Sequence, residues 1–145
     1  MLVNRSEISR YLPQKEPFIA IHELLEVREG FAMTQFEVSV ESIFVTDGLF
    51  LEPGLIENIA QTAAVLTGYF CQKEGWPIPL GYIAGIKNLS IFSLPVVGSI
   101  LNTSVQVTNL VMGVTLLDGL IRVKESIVCQ CEMRVFLDPG TGFTS

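Results

Sequence analysis

The chain has 145 residues, of which 49% are apolar and 17% charged, and its formal net charge at pH 7 is −6. This length suits one domain with one core, so we expect residues 1–145 to form a single domain. The acidic balance excludes a general nucleic-acid binder, which needs a basic face. The small charged fraction leaves apolar surface to be covered by a ligand or another chain, so self-association is expected.

No apolar run approaches the roughly 18 residues that a membrane span needs, and the N-terminal residues lack the apolar stretch of a signal peptide. These features predict a cytoplasmic protein without a membrane span. The cysteines are Cys71, Cys129 and Cys131, and the chain has one histidine. An odd, scattered set argues against a disulfide framework, and a single histidine argues against a zinc site. We expect buried, reduced thiols, no metal and no cofactor.

The first part of the chain predicts a short helix followed by two antiparallel strands. Residues 6–12 form the helix, with Ser6 as its cap, and the helix ends at Leu12 because a residue before proline is disfavoured in helical angles. β-Branched and aromatic residues dominate 18–27 and 31–40, and an Arg-Glu-Gly turn lies between them.

A long helix and further strands follow. From Pro53 to Phe70 apolar residues recur at spacings of three and four and also fill adjacent faces, which predicts a helix buried nearly all round and ended by Gly75. Residues 81–92, 98–110 and 114–137, punctuated by glycines that include Gly119, predict three or four strands. The fold class is therefore α+β: an antiparallel sheet of five to six strands wrapped around one long buried helix, the hotdog fold.

Four phrases resemble the β-hydroxyacyl-acyl-carrier-protein dehydratases, a FabZ-like hotdog family. Residues 12–18, Leu-Pro-Gln-Lys-Glu-Pro-Phe, resemble the family phrase Leu-Pro-His-Arg-x-Pro-Phe. Pro53-Gly54, with Glu57 four residues before Gln61, resembles the start of the family's helix. Residues 84–88 and 95–101 resemble its next strand and turn. The match covers residues 6–137 and implies dehydration of 3-hydroxyacyl thioesters in fatty-acid or related lipid or polyene synthesis.

The resemblance implies a site in which a loop histidine and a helix carboxylate from the partner subunit remove water. One group takes a proton from carbon 2, the other protonates the departing hydroxyl, and an N–H donor steadies the thioester oxygen. Glu57 matches the carboxylate. A lone glutamate in an apolar helix is costly to bury unless it is paired or protonated. The alternative is a glutamate that faces water and favours the N-terminal dipole.

Two features depart from the family pattern. The family's Gly-His-Phe-Pro loop has no histidine counterpart within residues 43–52. Asp47 and Glu52 are candidate replacements, although Asp47 also fits a turn and Glu52 the first turn of the helix. Glu57 follows Gly54 by three residues where the family has five, which predicts a shorter entry to the helix. The Gly54 N–H resembles the family's oxyanion donor.

The remaining candidates surround Glu57. His22 lies on the same predicted strand face as Ala20 and Leu24, so a His22–Glu57 pair is a candidate displaced acid–base couple; the alternative is a hydrogen-bonded core histidine. Gln61 and Asn58 flank the carboxylate as supporting residues, with Gln61 holding a loop backbone. Small helix residues predict an acyl tunnel lined by Ala60, Ala63, Ala64 and Gly68.

Three functions follow from these residues. The first is a 3-hydroxyacyl thioester dehydratase, a lyase, active as a homodimer or a larger homo-oligomer. The second is a hotdog acyl-thioester hydrolase, which uses a helix carboxylate and no histidine. The third is a non-catalytic acyl-binding subunit beside a histidine-containing homologue. The expected partner is an acyl carrier protein or coenzyme A thioester. An acidic carrier protein would need a basic patch, for which the candidates are Arg10, Lys15, Lys73 and Lys87.

Overall fold

The structure, a computed structural model, describes residues 1–138 and consists of an antiparallel sheet packed on one long helix. A 3₁₀ helix at Ile8–Tyr11 opens the chain. The remaining elements are listed in chain order: β1 Glu23–Arg28, β2 Phe31–Glu37, β3 Val45–Thr46, β4 Leu49–Phe50, α1 Glu52–Glu74, β5 Leu80–Ile91, β6 Ile100–Val111, β7 Val114–Val123 and β8 Ser126–Asp138.

Six strands form the main sheet in the order β1-β2-β6-β7-β8-β5, and β3 and β4 form a separate hairpin. Every neighbouring pair in the main sheet is antiparallel, and strands β1 and β5 lie at its edges. One helix against a six-stranded antiparallel sheet confirms the predicted hotdog class. The four strands after the helix match the upper number that the pattern predicted.

Helix α1 packs so closely on the sheet that one strand position must be glycine. Gly119 lies within β7 and faces the helix, where an added Cβ would stand 2.5 Å from Ile59 Cγ2. The prediction that Gly119 punctuates the strands was wrong, because the glycine makes room for the helix inside a continuous strand. Ile59 itself is completely buried.

The N-terminal segment crosses the helix at a second glycine. An added Cβ at Gly68 would lie 1.9 Å from the carbonyl oxygen of Tyr11, so only glycine permits this crossing. The predicted helix is shorter than expected, and Ser6 does not cap it: its hydroxyl donates to Asn4 Oδ1 at 2.7 Å, and the residue before the helix, Glu7, makes no side-chain cap.

The helix boundaries follow from local chemistry. Pro53 lies in the first turn, where a missing N–H costs nothing. Gly75 ends the helix with a left-handed φ of 73°, as predicted. Asp47 and Gly48 also have positive φ, 53° and 77°, and form the turn between β3 and β4, which confirms the turn interpretation of Asp47.

The three cysteines are free and buried, as predicted. Burial, with a smaller contribution from the neighbouring Cys131, raises the pKa of Cys129 to about 12. Burial raises the pKa of Cys131 to about 11, with smaller contributions from nearby carboxylates. Both thiols are therefore protonated at neutral pH and act as small apolar core residues. Within the described part of the chain, no helix has the length and apolar character to cross a membrane.

Candidate active site

Residues 18–21 precede β1 instead of belonging to it as predicted, and helix side chains bind the backbone of Phe18 and Ala20. Gln61 is completely buried. Its Oε1 accepts from the Ala20 N–H at 2.6 Å, and its Nε2 donates to the Phe18 carbonyl at 2.8 Å. Buried backbone groups need partners, and here a helix glutamine replaces a neighbouring strand. This is the loop-holding role predicted for Gln61.

Glu57 is tied to the same glutamine. Gln61 Nε2, which donates to the Phe18 carbonyl, also donates to Glu57 Oε1 at 2.8 Å. The two residues lie one helical turn apart. The Glu57 side chain is half-buried, so it is neither sealed in the core nor fully in water. Because Gln61 is itself fixed by the Phe18–Ala20 backbone, its hydrogen bond fixes the orientation of the Glu57 carboxyl group. The other oxygen of Glu57 makes no hydrogen bond within residues 1–138.

Asn58 anchors the helix to the sheet immediately beside Glu57. Its Nδ2 donates to the Ala20 carbonyl at 2.8 Å, and its Oδ1 accepts from the Thr103 hydroxyl at 2.5 Å. The Thr62 hydroxyl donates to the Asn58 carbonyl and lies 2.7 Å from the Thr34 hydroxyl. Asn58 and all three threonines are completely buried. The network links α1 to β2 and β6 and fixes the position of the helix turn that carries Glu57.

Residues 43–52, the hairpin and the entry to α1, contain no histidine. Leu49 lies half-buried on β4 in a bridge with Val96. The candidate replacements, Asp47 and Glu52, are both exposed, one in the hairpin turn and one in the first turn of α1.

The predicted oxyanion donor is already engaged. The Gly54 N–H donates to the Leu51 carbonyl at 2.9 Å within the first turn of α1. The glycine is buried between two rings, where an added Cβ would lie 2.6 Å from Phe50 and 2.7 Å from Phe44. Donation to a substrate would require this turn to open, and the oxyanion role of Gly54 stays a prediction.

His22 lies just before β1, and its contacts are with β2. Its Nδ1 accepts from the Glu37 N–H at 3.1 Å, and its ring lies 4.4 Å from that of Phe36. No hydrogen bond or ion pair joins His22 to Glu57 within residues 1–138. Burial lowers the pKa of His22 to about 4, with a smaller contribution from Arg5. The ring is therefore neutral at pH 7, and its catalytic role stays a prediction.

The lowered pKa of His22 predicts a loss of stability in acid. The unfolded chain takes up this proton near pH 6.5 and the folded chain only near pH 4, so the free energy of unfolding falls as the pH drops through that window. Urea unfolding at pH 7 and pH 4.5 should show a smaller loss for His22→Gln, which keeps a hydrogen-bond acceptor but does not titrate. Equal losses in the two proteins would contradict this account.

An apolar cavity lies between α1 and the strands β5 to β8. Ala60, Ala63 and Ala64 line it, as predicted for an acyl tunnel, whereas Gly68 does not because it packs on Tyr11. The other lining residues include Thr67, Tyr82, Ile83, Leu117, Val135 and, from the N-terminal segment, Gln14. Glu57 does not line the cavity, but it lies one turn before Ala60 on the same helix face.

Two of the basic residues proposed for carrier docking lie at one end of the helix. The Lys73 ammonium stands 5.0 Å from the Tyr69 ring, which stacks on Tyr11, the residue after Arg10. Lys87 lies on β5, opposite Glu132 of β8. In the part of the chain that the structure describes, no group of three or more histidine, cysteine or acidic side chains could hold a metal ion.

The sheet packs on a helix that carries a hydrogen-bonded carboxylate near an apolar cavity. This combination is typical of the hotdog proteins that act on acyl thioesters. The model of the ApeP-like family, described as ApeP dehydratase, matches residues 6–141. This chain belongs to the ApeP-like dehydratase family, and its function is that of a hydroxyacyl dehydratase-like lyase.

Known relatives support this assignment. The 3-hydroxyacyl-(acyl-carrier-protein) dehydratase FabZ of Alkaliphilus metalliredigens is 24% identical, over 97% of this chain and 99% of the relative. The FabZ of Clostridioides difficile strain 630 is 25% identical, over 91% and 95%. These relatives favour dehydration over the hydrolase alternative.

Solved structures share the fold. The dehydratase heterocomplex ApeI:P from Xenorhabdus doucetiae superposes with a TM-score of 0.85 at 20% identity, over 93% of each chain. A hypothetical thioesterase with coenzyme A from Streptococcus pneumoniae gives 0.63 at 16% identity, over 85% of this chain and 88% of that chain. At these identities the likeness concerns the fold alone.

Proposed function

We propose that this chain is the carboxylate-bearing subunit of a dehydratase for 3-hydroxyacyl thioesters on an acyl carrier protein. A homologous hotdog subunit that retains the loop histidine completes the site. The histidine takes the proton from carbon 2, and the Glu57 carboxyl acts as the general acid that delivers a proton to the hydroxyl on carbon 3. A carbon–carbon double bond forms as the carbon–oxygen bond breaks, and water leaves.

The observation that carries the proposal is the fixed carboxylate of Glu57. Gln61 holds one of its oxygens, and the same glutamine is tied to the Phe18–Ala20 backbone. Proton transfer is efficient only when the acid is positioned within hydrogen-bond reach of its target, so this tether is what a general acid needs.

A second subunit is favoured because no second acid–base group is bound to Glu57 within residues 1–138. Residues 43–52 contain no histidine, Asp47 and Glu52 face solvent, and His22 is bound to the backbone of β2. The Xenorhabdus doucetiae neighbour is a heterocomplex, which supports a pair of unlike hotdog subunits. The long edge strand β5, with exposed Leu80, Tyr82 and Leu89, offers unpaired backbone and apolar area for such a partner.

The test is reconstitution. The purified chain, a histidine-containing hotdog protein from the same organism and their mixture are each given a 3-hydroxyacyl thioester of an acyl carrier protein, and enoyl absorbance is followed. We expect turnover by the co-purifying pair and not by this chain alone. Full turnover by this chain alone would support the homodimer with His22 and overturn the composite site. Release of free thiol without enoyl product would indicate the hydrolase.

A further inference from the structure

One buried polar atom in the cavity has no partner. Gln14 Oε1 is the only buried side-chain nitrogen or oxygen within residues 1–138 that makes no hydrogen bond, and Gln14 lines the apolar cavity beside α1. A buried acceptor without a donor costs about 1–3 kcal/mol. None of the hydroxyls that line the same cavity, those of Thr67, Thr115 and Tyr82, bonds to it, so this acceptor points to a donor on a ligand.

The N-terminal segment places Gln14 at a defined distance from the carboxylate. Residues 11–18 run antiparallel to α1, since the Tyr11 carbonyl lies against Gly68 and the Phe18 carbonyl binds Gln61. The Phe18 N–H donates to the Lys15 carbonyl, so the segment turns before it reaches Gln61. Gln14 precedes this turn and shares the cavity with Ala60 and Ala64, the first of which follows Glu57 by three residues, a rise of roughly 5 Å. Ala64 follows Glu57 by seven residues, a rise of roughly 10 Å along the helix.

We propose that Gln14 is a specificity residue that accepts a hydrogen bond from a hydroxyl group on the acyl chain, about four to eight bonds beyond carbon 3, at the roughly 1.2 Å per bond of an extended chain. The inference rests on the proposed function, because it assumes that the reacting carbons lie at Glu57. Gln14 takes the place of the histidine in the family's Leu-Pro-His-Arg phrase, so this acceptor is a feature of this chain.

Binding tests the inference without catalysis. The probes are the pantetheine thioesters of decanoic acid and of ω-hydroxydecanoic acid, which differ only in the terminal hydroxyl and share the arm common to both carriers. Their dissociation constants are measured by calorimetry on the assembled protein. We expect the hydroxylated thioester to bind about 5- to 10-fold more tightly, because it supplies the missing donor to a buried acceptor.

Gln14→Leu should remove this preference and bind the plain decanoyl thioester more tightly than the wild-type protein does. The variant should also fold, because it replaces an unsatisfied acceptor with an apolar side chain, and its melting temperature should rise. Gln72→Leu, at an exposed glutamine of α1, is the matched control and should keep the wild-type ratio.

Equal affinities for the two thioesters in the wild-type protein, or an unchanged ratio in Gln14→Leu, would overturn the inference and indicate that water satisfies the glutamine. Failure of both thioesters to bind would overturn it as well, since the cavity would not be an acyl site. Each of these outcomes is independent of the turnover assay, so a binding preference without any dehydration would refute the proposed function alone.

Discussion

Glu57→Gln is expected to reduce dehydration by the assembled enzyme by about 100- to 10,000-fold, the usual contribution of a general acid. The amide oxygen of the new glutamine still accepts from Gln61, so the tether to the Phe18–Ala20 segment and the fold are retained. What is lost is the proton that converts the hydroxyl into water. The measurement is the initial rate of enoyl formation from a 3-hydroxyacyl carrier thioester at saturating substrate.

Glu74→Gln is the matched control, since Glu74 is an exposed glutamate at the last turn of the same helix. It makes the same carboxyl-to-amide change and should leave the rate unchanged. Circular dichroism and the melting temperature establish that both variants are folded. A Glu57→Gln enzyme with the wild-type rate would remove this carboxylate from the mechanism, whichever subunit supplies the second group.

The second large effect is on stability. Asn58→Ala should lower the free energy of unfolding by about 3 kcal/mol, because it leaves the Thr103 hydroxyl and the Ala20 carbonyl without their buried partner and opens a small cavity. Urea unfolding followed by tryptophan fluorescence and circular dichroism measures the change. The rate of dehydration should fall too, since Ala20 also positions Gln61.

Two comparisons make the stability experiment specific. Asn109→Ala, at an exposed asparagine of β6, should change the free energy of unfolding by less than about 0.5 kcal/mol. Adding Thr103→Val to Asn58→Ala should recover part of the loss, because it removes the orphaned hydroxyl rather than leaving it buried. If Asn58→Ala were as stable as the wild-type protein, the network would not anchor the helix.

Much of the fold could be predicted because periodicity reports burial directly. The helix from Pro53 onward is apolar on nearly every face, and a helix of this kind needs a sheet around it. Gly119 could not be interpreted in the same way. A glycine within a strand pattern signals either a break or a close approach, and only the position of Ile59 across the core decides between them.

The site was less accessible to prediction for a physical reason. Glu57 and Gln61 are candidates because their spacing resembles the helix motif of the dehydratase family, and Asn58 is a candidate because it flanks the carboxylate. Their partners are backbone groups of Phe18 and Ala20, and no side-chain pattern records where a backbone carbonyl points. The β-rich composition of residues 18–21 predicts strand pairing, whereas buried side-chain amides of α1 bind the backbone of Phe18 and Ala20 instead. Gln14 gave no signal of its own beyond its place in the Leu-Pro phrase.

Residues 11–18 contact α1 at both of their ends, and these contacts fix the distance between Glu57 and the far end of the cavity. One end lies against Gly68 and the other is tied to Gln61, so the segment cannot slide along α1. The same stretch of chain binds Gln61, which orients Glu57, and also carries Gln14, which lines the cavity. The spacing between the carboxyl group and the glutamine acceptor is therefore fixed by one segment. Selection among acyl groups should accordingly be stepwise, with preference falling abruptly when a substrate is one or two carbons too short or too long, rather than declining gradually as it does in a deformable pocket.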